Sequence, residues 1–260
     1  MEVGTSMTDS NLKDYSNFYA DLAQSAYRGR PNTLSRYNNA LNWTLIDYSQ
    51  DIDDDGEITP GGKKLPHDGK VYLQPDPDLR DTYKVTSVPV PDTNGMRQEP
   101  HRTKLYQKGL LTDERAGFNA YYLTDTPTLG KDTTKTYMAI RGSDAISYEN
   151  WNDWIDNDAK FALNHIHTPQ AKLATAGMKA KIAEMREKAP NATMDITGHS
   201  LGTIVSAQGV AGLSDEELEK ISKVVLFDGP DTTKSLKKMG LSDEKIKKIS
   251  EKIEYYVNPF

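Results

Sequence analysis

From residue 117 onward, short apolar runs alternate with helix-length segments, and no hairpin turn chemistry joins the runs. This constrains the fold more than any other feature, because strands separated by helices pair in parallel and the helices lie against the sheet. Gly117–Thr124 and Thr136–Arg141 read as strands. A long helix spans about Gln170–Lys188 and stops at Ala189-Pro190, and Met194–Thr197 is a short strand. A helix of small and apolar residues follows at Leu201–Leu213. Ser214 and Glu217 have the spacing of a capping box for the next helix. Val224–Phe227 is a third buried strand, Ser242 caps a helix to about Ser250, and Ile253–Val257 is a further strand. The expectation is an α/β fold, a mostly parallel sheet with helices on both faces.

The upstream half is less regular. Leu12, Tyr15, Phe18, Tyr19, Leu22 and Ala26 recur at helical spacing, Ser10 is placed to cap them, and Gly29 and Pro31 end the run. Such a stripe is expected to pack on a core. Residues 50–115 are rich in Asp, Gly, Pro and Lys, and no apolar period lasts. They read as a loop-rich insertion within a single domain spanning 1–260, with a short hairpin around Val71–Leu73 and Tyr83–Val90 and a short helix or strand at Leu105–Leu111. Insertions of this length carry function or move.

The strongest chemical signal is Gly198-His199-Ser200-Leu201-Gly202, a G-x-S-x-G match. The bare pattern arises often by chance, so its context decides. It sits between an apolar strand and a helix of small residues, the strand–turn–helix of a nucleophile elbow in an α/β-hydrolase. The turn is tight, and its two glycines give room where a side chain would collide. It lifts the Ser200 hydroxyl out of the sheet and aims the Leu201 N–H and the helix N-terminus at a developing oxyanion. Ser200 is therefore the candidate nucleophile and Leu201 a candidate oxyanion donor. His199 adjoins Ser200, but neighbours on a sharp turn point apart, so it is expected to pack or bond beneath the elbow.

Upstream, Tyr137-Met138-Ala139-Ile140 opens into Arg141-Gly142-Ser143-Asp144, and Trp151-Asn152-Asp153-Trp154 follows. Together with Asp21-Leu22-Ala23-Gln24-Ser25-Ala26-Tyr27, these segments resemble the class 3 (fungal-type) lipases and their bacterial relatives, over about residues 10–30 and 117–260. The resemblance implies that Ser143 is a second oxyanion donor. It leaves Trp151 and Trp154 either lining an acyl pocket or packed under the sheet. It extends to antibacterial lipase toxins exported by the type VII system of Gram-positive bacteria, with the lipase domain first. That implies a phospholipid or related acyl-ester substrate, a cognate immunity protein that blocks the site, and secretion without a cleaved signal peptide. No signal peptide is legible near Met1, and a cytoplasmic location is the alternative.

A serine hydrolase also needs a base and an acid to orient it. In α/β-hydrolases these follow the serine in chain order, yet His67, His101, His165, His167 and His199 all precede Ser200. Asp228 follows a strand, but Asp228-Gly229-Pro230 looks like the turn that the lipase family carries there rather than the acid. The chain ends at Asn258-Pro259-Phe260, directly after a strand that reads as buried. The expectation is a C-terminally incomplete domain, inactive by itself, whose remainder in the same polypeptide supplies the Asp and His.

Asp51-Ile52-Asp53-Asp54-Asp55-Gly56-Glu57 matches the start of a D-x-D-x-D-G calcium loop. Asp51, Asp53, Asp55 and Glu57 are the candidate ligands of a structural Ca²⁺. The twelfth position is Gly62 rather than a bidentate Glu, so a nearby carboxylate such as Asp68 or Asp76 has to complete the shell. No cofactor is expected for the chemistry. The chain has no cysteine, which excludes disulfides and thiol catalysis. Its net charge of −6 gives no footprint for nucleic acid and argues against simple capture by anionic lipid. The readings that emerge are a serine hydrolase of lipid esters (a lipase or phospholipase A), a degenerate hydrolase-fold binding protein, and an esterase or acyltransferase for small esters. Fold analogy alone does not choose the substrate.

Overall fold

The computed structural model describes residues 45–47, 50–52, 58–60, 70–141, 169–229 and 231–256. Ten strands form one mixed sheet. The carboxyl half supplies β9 (Lys135–Ile140), β10 (Thr193–His199), β11 (Ile221–Phe227) and β12 (Ile253–Tyr256). These four pair in parallel in the order β12-β11-β10-β9, with Gly198 opposite both Ile140 and Leu226. Strands flanked on both sides and covered by helices read as near-continuous apolar runs, and β9 to β11 are buried accordingly.

Five described helices connect and cover these strands: α1 (Pro169–Lys188), α2 (Leu201–Ala211), α3 (Asp215–Leu218), α4 (Thr233–Lys238) and α5 (Asp243–Ser250). The predicted caps are present. The Ser214 hydroxyl accepts from the Glu217 amide while the Glu217 carboxylate accepts from the Ser214 amide, and Ser242 accepts from the Lys245 amide. All residues of α2 except Leu201 are buried, as expected of a helix that is apolar all round. Its small residues let α1 approach closely, since a Cβ on Gly209 would stand 2.9 Å from that of Ala174.

The core forms two clusters. The larger holds Met138, Ile140, Ile196, Leu226 and side chains from all five helices, among them Met178, Val205, Leu218, Leu236 and Ile249. The smaller lies on alternate strand positions, Leu123, Tyr137, Ala139, Val225 and Phe227, and includes no described helix. Helices on both faces were expected, and among the described residues they occupy one. One charge is buried within the sheet: Asp195 on β10, fully inaccessible, pairs with Lys135 Nζ at 2.8 Å.

The amino half departs from the sequence reading. Strand β8 (Phe118–Thr124) pairs with β9 antiparallel, whereas the absence of turn signals between these two strands pointed to a parallel pair. The loop between them is closed by side chains, because the Asp125 carboxylate accepts from the Thr134 amide and hydroxyl and from the Lys135 amide. Residues 70–115 are also not mainly loop. After β1 (Leu45–Asp47), β2 (Gln50–Ile52) and β3 (Ile58–Pro60) comes β4 (Lys70–Gln74), which pairs with β1 and β8. Then β5 (Arg80–Asp92) and β6 (Gly95–Lys108) form a long antiparallel ribbon, returned to β8 by the two-residue β7 (Thr112–Asp113). Both faces of this ribbon are mostly exposed, so neither needs the apolar alternation by which a half-buried strand is recognised.

Candidate active site

Strand β10 ends at His199 and α2 begins at Leu201, so Ser200 makes the whole turn. Its backbone lies at φ 61°, ψ −127°, a region that non-glycine residues occupy only under strain and that clusters at functional sites. Three contacts hold it there. The Ser200 amide donates to the Phe227 carbonyl on β11 at 3.0 Å, and the Ser200 carbonyl accepts from the Thr203 amide at 3.0 Å and the Thr203 hydroxyl at 2.7 Å. Gly198 permits the approach of strand and helix: a Cβ there would meet the Gly202 carbonyl oxygen at 2.5 Å. Ser200 is 5% exposed, at the carboxyl edge of the parallel strands.

Leu201 occupies the first position of α2, where an N–H has no partner four residues back in the helix. The first turn carries no acidic residue, so the positive end of the helix dipole faces the Ser200 turn without local compensation. This suits a charge that develops on an oxygen beside Ser200. The structure thus brings Ser200 and the Leu201 amide together as the motif required.

The neighbouring strand ends at a second strained residue. Asp228, directly after β11, has φ 50°. Its amide donates to the Tyr256 carbonyl on β12 at 3.0 Å, and its Oδ2 lies 3.6 Å from His199 Nε2. His199 is 15% exposed and its ring faces Asp228 across this gap. Gly229 then presses on α2, where a Cβ would fall 2.0 Å from Thr203 Oγ1. Sequence reasoning missed this contact. Its trace is the glycine after Asp228, which fits only where the chain passes close to another element. On the outer strand Tyr256 stacks on Phe227 with ring centroids 5.3 Å apart. Burial, with the Glu254 carboxylate beside it, pushes the Tyr256 phenol up to about 12, so it stays neutral at physiological pH.

A half-open groove of about 730 Å³ lies at the split where β4 and β7 part along β8. Leu73, Leu79, Leu105, Leu111 and Tyr121 give it an apolar wall, and Arg141 also lines it. Ser200 does not line it. Arg141 directly follows Ile140, the register partner of Gly198 on β10. Asp76 anchors its rim, accepting from the Leu110 amide at 3.0 Å and the Leu111 amide at 2.8 Å.

Several predicted site residues lie outside the described residues: Ser143, Trp151, Trp154, the amino-terminal helix, Asp53, Asp55, Glu57, Asp68, and the histidines other than His101 and His199. Of the acidic loop, the flanks are placed. They are β2 and β3, paired antiparallel with Asp51 opposite Thr59, so the D-x-D-x-D-G segment joins a two-stranded hairpin. Among the described residues no cluster of three or more His, Asp or Glu side chains is disposed to hold a metal, and no helix is long and apolar enough to cross a membrane.

Residues 127–258 match the protein-family model described as Cutinase. The match spans 132 residues, just over half of the 260. It begins in the β8–β9 loop and takes in the elbow, leaving the ribbon outside. No curated protein matches the chain.

Proposed function

Because the chain belongs to the cutinase family, an esterase family of the α/β-hydrolase type, it is a serine carboxylic-ester hydrolase in general class, and we propose that Ser200 is its nucleophile and lipid acyl esters its substrates. The observation that carries this is the backbone of Ser200, strained at the tip of β10 and at the head of α2. In the proposed reaction the Ser200 hydroxyl adds to the ester carbonyl. The Leu201 amide and the Ser143 hydroxyl hold the oxyanion. A histidine takes the proton and delivers it to the departing alcohol. Water then cleaves the acyl-enzyme by the same route.

The lipid assignment draws on the resemblance of the Arg141-Gly142-Ser143 turn to class 3 lipases and on the apolar wall of the nearby groove. The same resemblance supports an antibacterial toxin exported by a type VII route and restrained by an immunity protein. Calcium at Asp51, Asp53, Asp55 and Glu57 has a structural role in this reading, and a rise in melting temperature on adding Ca²⁺ tests it.

Ser200 is tested by fluorophosphonate labelling and by hydrolysis of p-nitrophenyl esters and of diacylphospholipid, with Ser200→Ala beside the wild type. The expected result is labelling in the wild type only and preference for long acyl chains. A wild-type protein that neither labels nor turns over any ester refutes the nucleophile assignment and leaves a hydrolase-fold binding protein.

A further inference from the structure

Among the described residues the β5–β6 ribbon gathers most of the exposed apolar side chains. Leu79 at its base, with Tyr83, Val85, Val88, Met96 and Leu105, makes six of the seven exposed large apolar side chains among the described residues. Each strand runs 13 or 14 residues, about 45 Å fully extended. A lone two-stranded ribbon buries too little to stabilise itself, and apolar side chains concentrated on one exposed element mark a surface for a partner.

Charge says which kind of partner. Residues 80–108 hold six Lys and Arg against three Asp and Glu, a net of +3, while the whole chain is −6, so everything outside the ribbon sums to −9. The acidic total thus conceals a basic arm. Register also sorts the ribbon by face. Tyr83 stands opposite Lys104, Val85 opposite Arg102 and Pro91 opposite Met96, and this face carries no carboxylate from Tyr83 to the tip. On this face Lys104 is paired with Asp81 at the base at 3.0 Å, whereas Arg102 has no ion pair among the described residues.

We propose that this ribbon docks the protein on an anionic lipid surface. A polyanion in water would use the cations and leave Val85 and Met96 idle. The boundary between headgroups and acyl chains uses both, since apolar side chains sink into it while Lys and Arg stay with the phosphates. The base of the ribbon, through Leu79 and Leu105, also lines the apolar groove beside β8, so docking brings that groove to the lipid. The proposal goes beyond ester cleavage and does not rest on it, because docking is measured without turnover.

The test is co-sedimentation of the full chain with phosphatidylcholine vesicles, with and without phosphatidylglycerol, at low and physiological salt. The wild type binds the anionic vesicles, and salt weakens the binding. Arg102→Gln, on the same face as Val85 and Met96, lowers the affinity about fivefold. Val85→Ser with Met96→Ser lowers it by at least about tenfold. These side chains are exposed, so the urea midpoint and the fluorophosphonate labelling of Ser200 stay as in the wild type. Equal sedimentation with neutral and anionic vesicles, or variants that bind as the wild type does, overturns the proposal and leaves the ribbon to a protein partner. If no protein labels with fluorophosphonate but the variants still lose vesicle binding, the nucleophile assignment fails and the docking stands.

Discussion

Alanine at position 198 is the sharpest probe of the elbow. Its methyl group would stand 2.5 Å from the Gly202 carbonyl oxygen, 2.6 Å from Ser206 Oγ and 2.7 Å from the Gly202 carbonyl carbon. The Ser206 hydroxyl can swing aside, although it then gives up its 2.5 Å bond to the Gly202 carbonyl. The carbonyl itself is backbone in the first turn of α2 and cannot. Reaching an ordinary contact of 3.4 Å requires strand and helix to separate by 0.9 Å. The strand is held on both sides by β9 and β11, and the helix is buried along all but its first residue, so the displacement concentrates at Ser200. Overpacking of this kind costs about 2 kcal/mol, and a shift of about 1 Å in a reacting group slows chemistry about 100-fold. Urea unfolding of Gly198→Ala should therefore show a loss near that size, with fluorophosphonate labelling slowed by about two orders of magnitude. A variant within about 0.5 kcal/mol of wild type, the spread of ordinary surface changes, that labels at the wild-type rate would refute the claim that Gly198 sets the strand–helix approach.

Three further outcomes follow from named contacts. If the Ser200 backbone is strained by about 1–3 kcal/mol, Ser200→Gly should be at least as stable as Ser200→Ala. At a relaxed buried site the glycine would lose about 1 kcal/mol, and such a loss here would disprove the strain. Lys135→Ala leaves the carboxylate of inaccessible Asp195 without its cation and should destabilise by about 3 kcal/mol in a denaturant melt. The double change Lys135→Met with Asp195→Leu should restore part of that, and no restoration would count against the buried pair. Burial raises the Glu217 carboxyl, but the Lys179 ammonium and the Ser214 cap outweigh it and hold the group below its ordinary value of 4.5. A lowered carboxylate stabilises above its unfolded value, and that contribution disappears as pH falls through the native one. The difference in urea midpoint between wild type and Glu217→Gln should then be constant near neutrality and shrink below about pH 4.5; a difference that does not change with pH contradicts the assignment.

The elements of the carboxyl half are written locally. Apolar runs of strand length, Ser214 three residues before Glu217, and Ser242 before its helix each act through neighbours in the chain, and the structure shows those strands and caps within one to three residues of their expected ends. The elbow is local as well, because the two glycines and the serine must share one turn. What escaped is written across the chain. Asp125, not a turn dipeptide, closes the antiparallel β8–β9 connection, and Asp76 serves amides more than thirty residues away.

The sequence by itself determined that a strand turns sharply into a buried helix at Ser200, because backbone sterics and apolar periodicity act over a few residues. Only the tertiary structure decided that β8 runs against its neighbour, that Asp228 meets His199, and that β5 and β6 pair into a ribbon exposed on both faces. Those facts depend on register and pairing between distant segments, and a polar strand exposed on both faces leaves no periodic mark of the partner it has found.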